Sequence, residues 1–422
     1  MRIGLLTYRG NPFCGGQGVY VRHLSRELAL LGHDVEVFSG PPYPELHSGV
    51  RLTRVPSLDL YREPDPFRWP RLGEYRDWID VLEAGTMLTG GFPEPLTFSL
   101  RARRALRARR RAFDVVHDNQ TLGYGLLGLA RFGLPLVTTV HHPVQIDRGL
   151  ELAHATGWRR LSLRRWYGFT RMQRRTARRL PSVLTVSESS RAEIVRHLGV
   201  PADRISVVPI GTDAARFSPD PAVPTVPGRI VTTASADVPL KGLRCLVEAM
   251  AKVRTERHAE LVVVGSTRPA GQVATLIEQY GLRCVRFTGR LSDDDLVRTL
   301  RSAAVVAVPS LFEGFSLPVV EAMACGIPVV ATTAGALPEV AGPDGIAARL
   351  VPPGDAQALA GVLGELLDDA GQRARLGAAG RERVLRRFTW RVAAEQTVDR
   401  YRAAIRHHPA AGGRHELTTE RS

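Results

Sequence analysis

Ser310–Val330 reads SLFEGFSLPVVEAMACGIPVV and follows the apolar run AAVVAVPS. One continuous helix from Glu313 to Glu321 would set the two carboxylates about 80° apart, at about 100° per residue. Gly314 and Pro318 argue against that helix, since glycine weakens a helix interior and proline belongs in a first turn. AAVVAVPS therefore reads as a strand, Glu313 as a loop residue after it, and Pro318 as the opening of a helix that carries Glu321. PVVATT restarts as a strand. The stretch is one strand, helix, strand unit, and the amides of Gly314, Phe315, Ser316 and Leu317 line a helix start that favours anions.

The same alternation runs outward in both directions. After residue 228 come RIVTTASA, a helix from Gly242, AELVVVG, a helix near 272–280, VRFTG, a helix near 292–302 and AAVVAVPS. Before it, MRIGLLTY, HDVEVFSG, DVVHDN, LPLVTTVHH, SVLTVSES and RISVVPIG read as strands with amphipathic segments between several of them. Strands alternating with helices argue for parallel sheets covered on both faces, and 422 residues argue for two domains. The proline-punctuated ARFSPDPAVPTVPG marks the boundary. Helices near 355–368, 371–387 and 390–406 close the chain, and HHPAAGGRHELTTERS reads as a mobile tail. Residues 56–100, rich in proline and aromatics, break the rhythm and read as a substrate-shaping insertion. Two such domains are expected to face across a cleft at the carboxyl ends of their sheets, where ligands of this architecture sit.

Composition narrows the function. The chain is 44% hydrophobic and 23% charged, as in an ordinary folded protein. Cys14, Cys245, Cys284 and Cys325 show no metal or disulfide spacing, which fits a reducing cytoplasm. No apolar run reaches the roughly 18 to 20 residues that span a bilayer, and the first residues lack the pattern of a signal peptide. The formal charge of +15 is carried almost wholly by arginine, since Lys241 and Lys252 are the only lysines. Basic residues cluster at 101–111 and 159–179. Such stretches suit either a solvated helix face or an anionic membrane surface, and no nucleic-acid-binding motif accompanies them.

Three places can meet a diphosphate. NPFCGGQGVYVRHL puts Gly15, Gly16 and Gly18 between the first strand and its helix, where free amides meet anions, although a structural tight turn reads the same way. Its spacing is not the dinucleotide fingerprint, which disfavours a nicotinamide cofactor. Lys241 in SADVPLKGL follows a strand and opens a helix, either as a compact cation for phosphate or as a surface lysine. The third is the helix start at 314–317. With a carboxylate on either side, that start can grip hydroxyls, phosphate and hydroxyls in the order sugar, diphosphate, ribose.

These motifs resemble the retaining glycosyltransferases of family 4 (glycosyltransferase group 1) from Met1 to about residue 406. The strongest is Glu313-x7-Glu321 with the trailing AMACGIPVV; GGQGVY, VTTVHHP, VVPIGTDAARF, FTGRLSDDDL and FTWRVAAEQTVDRY add to it. The resemblance implies an α/β GT-B fold of two Rossmann-like domains. Residues 1–212 would be the acceptor side, 213–228 the linker and 229–389 the nucleotide-sugar-binding domain. A helix at 390–406 would pack back on the first domain, and 407–422 would be a flexible tail. It implies Glu313 on hydroxyls of the donor sugar, Glu321 on the ribose, and amides of Gly15, Gly16, Phe315, Ser316 and Leu317 on the donor. Backbone groups of Gly289 and Arg290 would meet the base, and His141 the donor sugar; His142 and His117 carry no assigned role. Lys241 joins Glu313 and His141 in the expected catalytic set. The implied reaction moves a sugar from a nucleoside diphosphate to a hydroxyl of a lipid, glycan or small metabolite, with retention and no obligatory metal or other cofactor. Uridine and guanosine diphosphate sugars are the usual donors. One departure stands out: Ser235 occupies the place of an arginine that usually precedes the lysine, leaving Arg244 or Arg268 as substitutes. A non-catalytic nucleotide-sugar binder and a sugar-nucleotide epimerase remain the alternatives. A cytoplasmic enzyme, peripheral on the inner face of the membrane through 101–111 and 159–179, is the expected setting.

Overall fold

The computed structural model describes residues 1–11, 16–234, 238–266 and 271–408. Cys14, Gly15, Ser235, Arg268 and the tail from residue 409 lie outside the described residues, so the expectations placed on them are not addressed by the fold.

The chain divides into two compact units. Unit 1 takes Met1–Val186, Ser190–Val208 and the chain from Ala393; unit 2 takes Ser187–Ser189 and Pro209–Val392. Unit 1 is built on β1 (Arg2–Thr7), β2 (Asp34–Ser39), β3 (Val50–Arg54), β4 (Val115–Asn119), β5 (Leu136–Thr139), β6 (Val183–Thr185) and β7 (Ile205–Val207). They form one sheet in the order β3-β2-β1-β4-β5-β6-β7, with every pairing parallel. Its helices are α1 (Gly16–Leu30), α2 (Trp78–Leu88), α3 (Glu94–Arg107), α4 (Tyr124–Arg131), α5 (Val144–His154), α6 (Gly157–Trp166), α7 (Phe169–Ala177) and most of α8 (Glu188–Leu198). The strands are apolar on both faces because helices cover both faces. Ile3, Leu6, Val115, Val116 and Val137 are fully buried as a result.

Unit 2 repeats the plan with β8 (Arg229–Thr233), α9 (Leu243–Val253), β9 (Glu260–Val264), α10 (Gln272–Gln279), β10 (Val285–Phe287), α11 (Asp293–Arg301), β11 (Val305–Val308), α12 (Leu317–Ala324), β12 (Val329–Thr332), α13 (Leu337–Ala341), β13 (Arg349–Val351), α14 (Ala356–Asp368) and α15 (Ala370–Arg387). Its sheet runs β10-β9-β8-β11-β12-β13, again all parallel. The strand order reverses between β1 and β4 in one unit and between β8 and β11 in the other. Those are the switch points where sheets of this kind hold ligands. The closing helix α16 (Trp390–Arg406) carries Tyr401, which is fully buried in unit 1 and meets His117 Nδ1 at 2.6 Å through its hydroxyl.

The two doubly wound sheets agree with the sequence reading, and local features have physical causes. β3 and β13 were not expected, because neither contains an apolar run; each is drafted into the sheet by pairing along a longer neighbour, β2 and β12. The 56–100 region is ordered by α2, by the start of α3 and by an aromatic cluster in which the Trp166 ring lies 5.2 Å from Phe92 and 5.8 Å from Tyr61. Within the basic stretch 101–111, three of the arginines are paired inside unit 1, while Arg103, Arg107, Arg110 and Arg111 are exposed. Arg101 is buried against Asp80 and Glu83, Arg104 pairs with Asp77 at 2.7 Å, and Arg109 pairs with Glu36 at 2.6 Å. Burying Asp80 and Glu83 of α2 and Glu36 of β2 would be costly without those guanidinium partners.

No helix among the described residues is long and apolar enough to cross a membrane. Cys245, Cys284 and Cys325 are free thiols.

Candidate functional site

In unit 2 the switch point gathers residues from the ends of β8 and β11. After β8 the chain makes a single tight turn over Pro239–Lys241, and α9 begins only at Leu243. The sequence reading placed Lys241 at the helix start; Gly242 separates the two. It takes φ +67°, and a Cβ on it would stand 1.9 Å from the Pro309 carbonyl oxygen, so only glycine permits this approach of α9 to the end of β11.

That approach brings Lys241 to Glu313. Lys241 Nζ donates to Glu313 Oε1 at 2.8 Å, and the Ser310 hydroxyl donates to the same oxygen at 2.7 Å. The Glu313 backbone carbonyl accepts from Ala336 N at 2.9 Å, which ties the loop down. Glu313 is buried, yet its Oε2 has no partner among the described residues. One oxygen is held and the other is available to a ligand.

Beyond Glu313 the loop enters α12 through Ser316, with φ +95°, an unusual conformation for a residue with a side chain. Ser316 is buried, its Oγ has no hydrogen-bond partner among the described residues, and it makes no cap hydrogen bond to the helix. Pro318 sits in the first turn, as the sequence suggested, and the first-turn amides lack intrahelical acceptors. Phe315 is committed to the core, its ring 5.8 Å from Phe388. One turn into the helix, Glu321 has no hydrogen bond or ion pair from its carboxylate among the described residues. Burial, helped by Asp293, pushes it up to about 7. Gly289 takes φ +69° and donates its amide to the Gly265 carbonyl at 3.1 Å, while the Arg290 side chain is exposed. Arg244, a proposed substitute for the missing arginine, lies on an exposed face of α9 and pairs with Glu248 at 3.0 Å.

In unit 1, His141 follows β5 and its Nε2 meets Asn119 Oδ1 at 2.7 Å. Its ring stands edge-on to Tyr20 at 4.6 Å, and burial pushes it down to about 4, so it is a neutral imidazole at ordinary pH. His117 is deeper: its Nε2 meets Thr139 Oγ1 at 2.7 Å, and burial drives it down to about 3. Gly16 opens α1, the helix that follows β1. Asn119, Gln120 and Ser310 were not singled out from sequence. The polar DNQ directly after an apolar strand was the available signal for the first two.

Known proteins bear on these sites in both halves of the chain. Residues 14–216 match the family described as Glycosyltransferase Family 4, and residues 227–369 match Glycosyl transferases group 1. The chain is 56% identical over 407 residues to the MMP alpha-(1->4)-mannosyltransferase of Mycolicibacterium hassiacum, covering 96% of this chain and 98% of that protein. It is 31% identical over 444 residues to a D-inositol 3-phosphate glycosyltransferase of Xylanimonas cellulosilytica, covering 97% and 98%. Among solved structures, sucrose-phosphate synthase from Thermosynechococcus elongatus matches with a TM-score of 0.69 at 26% identity, over 95% of this chain and 98% of that one. Anabaena Alr3699/HepE in complex with UDP shares the fold with a TM-score of 0.68 at 18% identity, over 96% and 100%. With both halves matched and a relative more than half identical along nearly the whole length, this chain is a glycosyltransferase of the GT-B fold and belongs to glycosyltransferase family 4.

Proposed function

We propose that the chain transfers mannose from a nucleoside diphosphate donor to a 4-hydroxyl of its acceptor, forming an α linkage with retention of configuration. The 56% identity to an alpha-(1->4)-mannosyltransferase supports the sugar and the linkage. An α product from an α-configured donor is retention. The observation that carries the reading is the half-satisfied Glu313 carboxylate, with Oε1 held by Lys241 and Ser310 and Oε2 open beside the start of α12. A sugar hydroxyl donates to Oε2, the diphosphate lies on the amides of 314–317 with Lys241 as its cation, and Glu321 receives the ribose hydroxyls.

As the glycosidic bond lengthens, negative charge grows on the diphosphate. Lys241 and the preorganised amides stabilise that charge, which is where fixed dipoles contribute most to a rate. A departing phosphate oxygen takes the acceptor proton on the same face, so Glu313 positions the sugar and need not serve as the base. His141 contacts a substrate hydroxyl. The reaction is proposed to need no metal, and a chelator should leave the rate unchanged.

Incubating the protein with guanosine, uridine and adenosine diphosphate mannose and an α-mannoside acceptor tests this directly. One donor should give a product that NMR shows to be α-(1→4)-linked. Tight nucleotide binding without turnover would point instead to a binding protein, and an epimerised donor to an epimerase.

A peripheral position on an anionic membrane is a second part of the proposal, and α6 supports it. Trp158 is 80% exposed and Leu161 55% exposed, amid Arg159, Arg160, Arg164 and Arg165. Among the described residues, no arginine from 159 to 179 forms an ion pair with an acidic side chain. Apolar side chains beside unpaired cations suit the headgroup region. The protein should sediment with anionic vesicles but not neutral ones, less so in high salt or with Trp158→Ala; equal binding to both vesicle types would refute it.

A further inference from the structure

We propose that Asn119 is a positioning residue for sugar transfer: its side-chain carbonyl receives the Nε2–H of His141 and thereby leaves the Nδ1 lone pair as the acceptor that His141 offers to a substrate hydroxyl. This rests on the reading above in which His141 contacts substrate.

The amide of Asn119 has one orientation available. Its Nδ2 donates to the Gln17 carbonyl at 3.1 Å, so Oδ1 is the atom 2.7 Å from His141 Nε2. An amide oxygen only accepts, which requires the proton on Nε2. A neutral imidazole with Nε2 protonated has a bare Nδ1, and that nitrogen has no partner among the described residues.

The neighbouring residue holds the backbone that carries the ring. Gln120 Oε1 accepts from His141 N at 2.6 Å and His142 N at 3.3 Å, while its Nε2 donates to the His142 carbonyl at 2.6 Å. Gln120 and Leu122 take φ +54° and +52°, a left-handed conformation that side chains rarely adopt. Asp118 Oδ2 secures that turn by accepting from Thr121 N and Leu122 N at 3.1 and 3.2 Å. Strained backbone held by its surroundings concentrates at functional sites. Thus three consecutive residues at the end of β4, Asp118, Asn119 and Gln120, fix the rotation, the protonated nitrogen and the height of one histidine.

Burial keeps the His141 imidazole neutral. Tyr20 of α1 stands edge-on to its ring and His117 of β4 interacts with it, Asp118 adjoins Asn119 on β4, and the neighbouring His142, just before α5, meets Asp147 of α5 at 3.3 Å. Burial drives His117 down to about 3, Tyr20 up to about 12 and Asp118 up to about 7. No carboxylate touches a His141 ring nitrogen among the described residues. A neutral amide at that place sets the tautomer without raising basicity; a carboxylate would do both.

Nitrogen-15 NMR of histidine-labelled full-length protein and the pH profile of kcat test the proposal together. Wild type should show His141 as a single Nε2–H tautomer at pH 7. Asn119→Ala should give mixed tautomers and at least a tenfold lower kcat, with the melting temperature as the folding check. Asn119→Asp should keep the tautomer and move the acid limb of kcat up by at least one pH unit. A wild-type Nδ1–H tautomer overturns the proposal, as does an unchanged kcat and unchanged pH limb in both variants while His141→Ala is inactive. If His141→Ala retains full kcat, the role of the histidine itself fails, and the Asn119 assignment with it.

Discussion

Lys241 Nζ and Glu313 Oε1 stand 2.8 Å apart across 72 residues of sequence. The cation expected to serve the diphosphate and the carboxylate expected to serve the sugar therefore hold one another in place. Each is fixed by the same contact that sets the other.

Coupling of this kind has a kinetic signature. Lys241→Met and Glu313→Gln should each lower kcat by about 10²-fold or more, the scale of losing one preorganised group. The double variant should lose much less than the product of the two, because residues in contact are not additive. Steady-state kinetics of the four proteins checks this, and multiplicative losses would show that the pair acts as two independent groups.

Glu321 gives a pH dependence. Its folded value of about 7 lies above the ordinary 4.5 because of burial and the nearby Asp293. A raised carboxylate contributes stability below its unfolded value that is lost as pH rises from about 4.5 to about 7. Ribose hydroxyls donating to the carboxylate favour its charged form, so nucleotide binding should strengthen as pH rises through 7 and should release a proton. Calorimetry in buffers of different ionisation heats measures the proton, and Glu321→Gln should abolish that part of it while stabilising the free protein at pH 8.

Arg101 gives a prediction about stability alone. Its side chain is 9% exposed and serves Asp80 and Glu83, each 1% exposed. Arg101→Met would leave two buried carboxylates with less compensation, and should cost about 3–5 kcal/mol in urea unfolding. Nucleotide binding by the folded fraction should be unaltered.

At Ser316 the expected change is a gain. Glycine accepts φ +95° without penalty, so Ser316→Gly should raise stability by about 1 kcal/mol after the entropy of the unfolded glycine is subtracted. A loss of donor affinity in the same variant would show that the unpaired Ser316 hydroxyl belongs to the ligand.

What the sequence made legible was local. Pro318 after Gly314 placed the start of α12, and runs such as AAVVAVPS placed the buried strands, because period and turn chemistry act over a few residues. Long-range pairings left no such trace. Arg101 and Arg159 look alike in a basic run, yet one is buried between carboxylates and the other is exposed. The Lys241–Glu313 pair depends on two strands being neighbours in the sheet, and Gly242 reveals its purpose only once Pro309 is seen above it. β3 and β13 owe their existence to the edges they join.

The partnership of Tyr401 with His117 spans 284 residues. On a ribosome adding roughly 5–20 residues per second, the first unit waits on the order of tens of seconds for the helix that fills it. During that interval the buried side of β4 has no Tyr401, while the second unit can be made and folded entirely within the wait. Unit 1, begun first, is thus the last to be finished, and a chain broken off after unit 2 would carry a completed second half on an open first one.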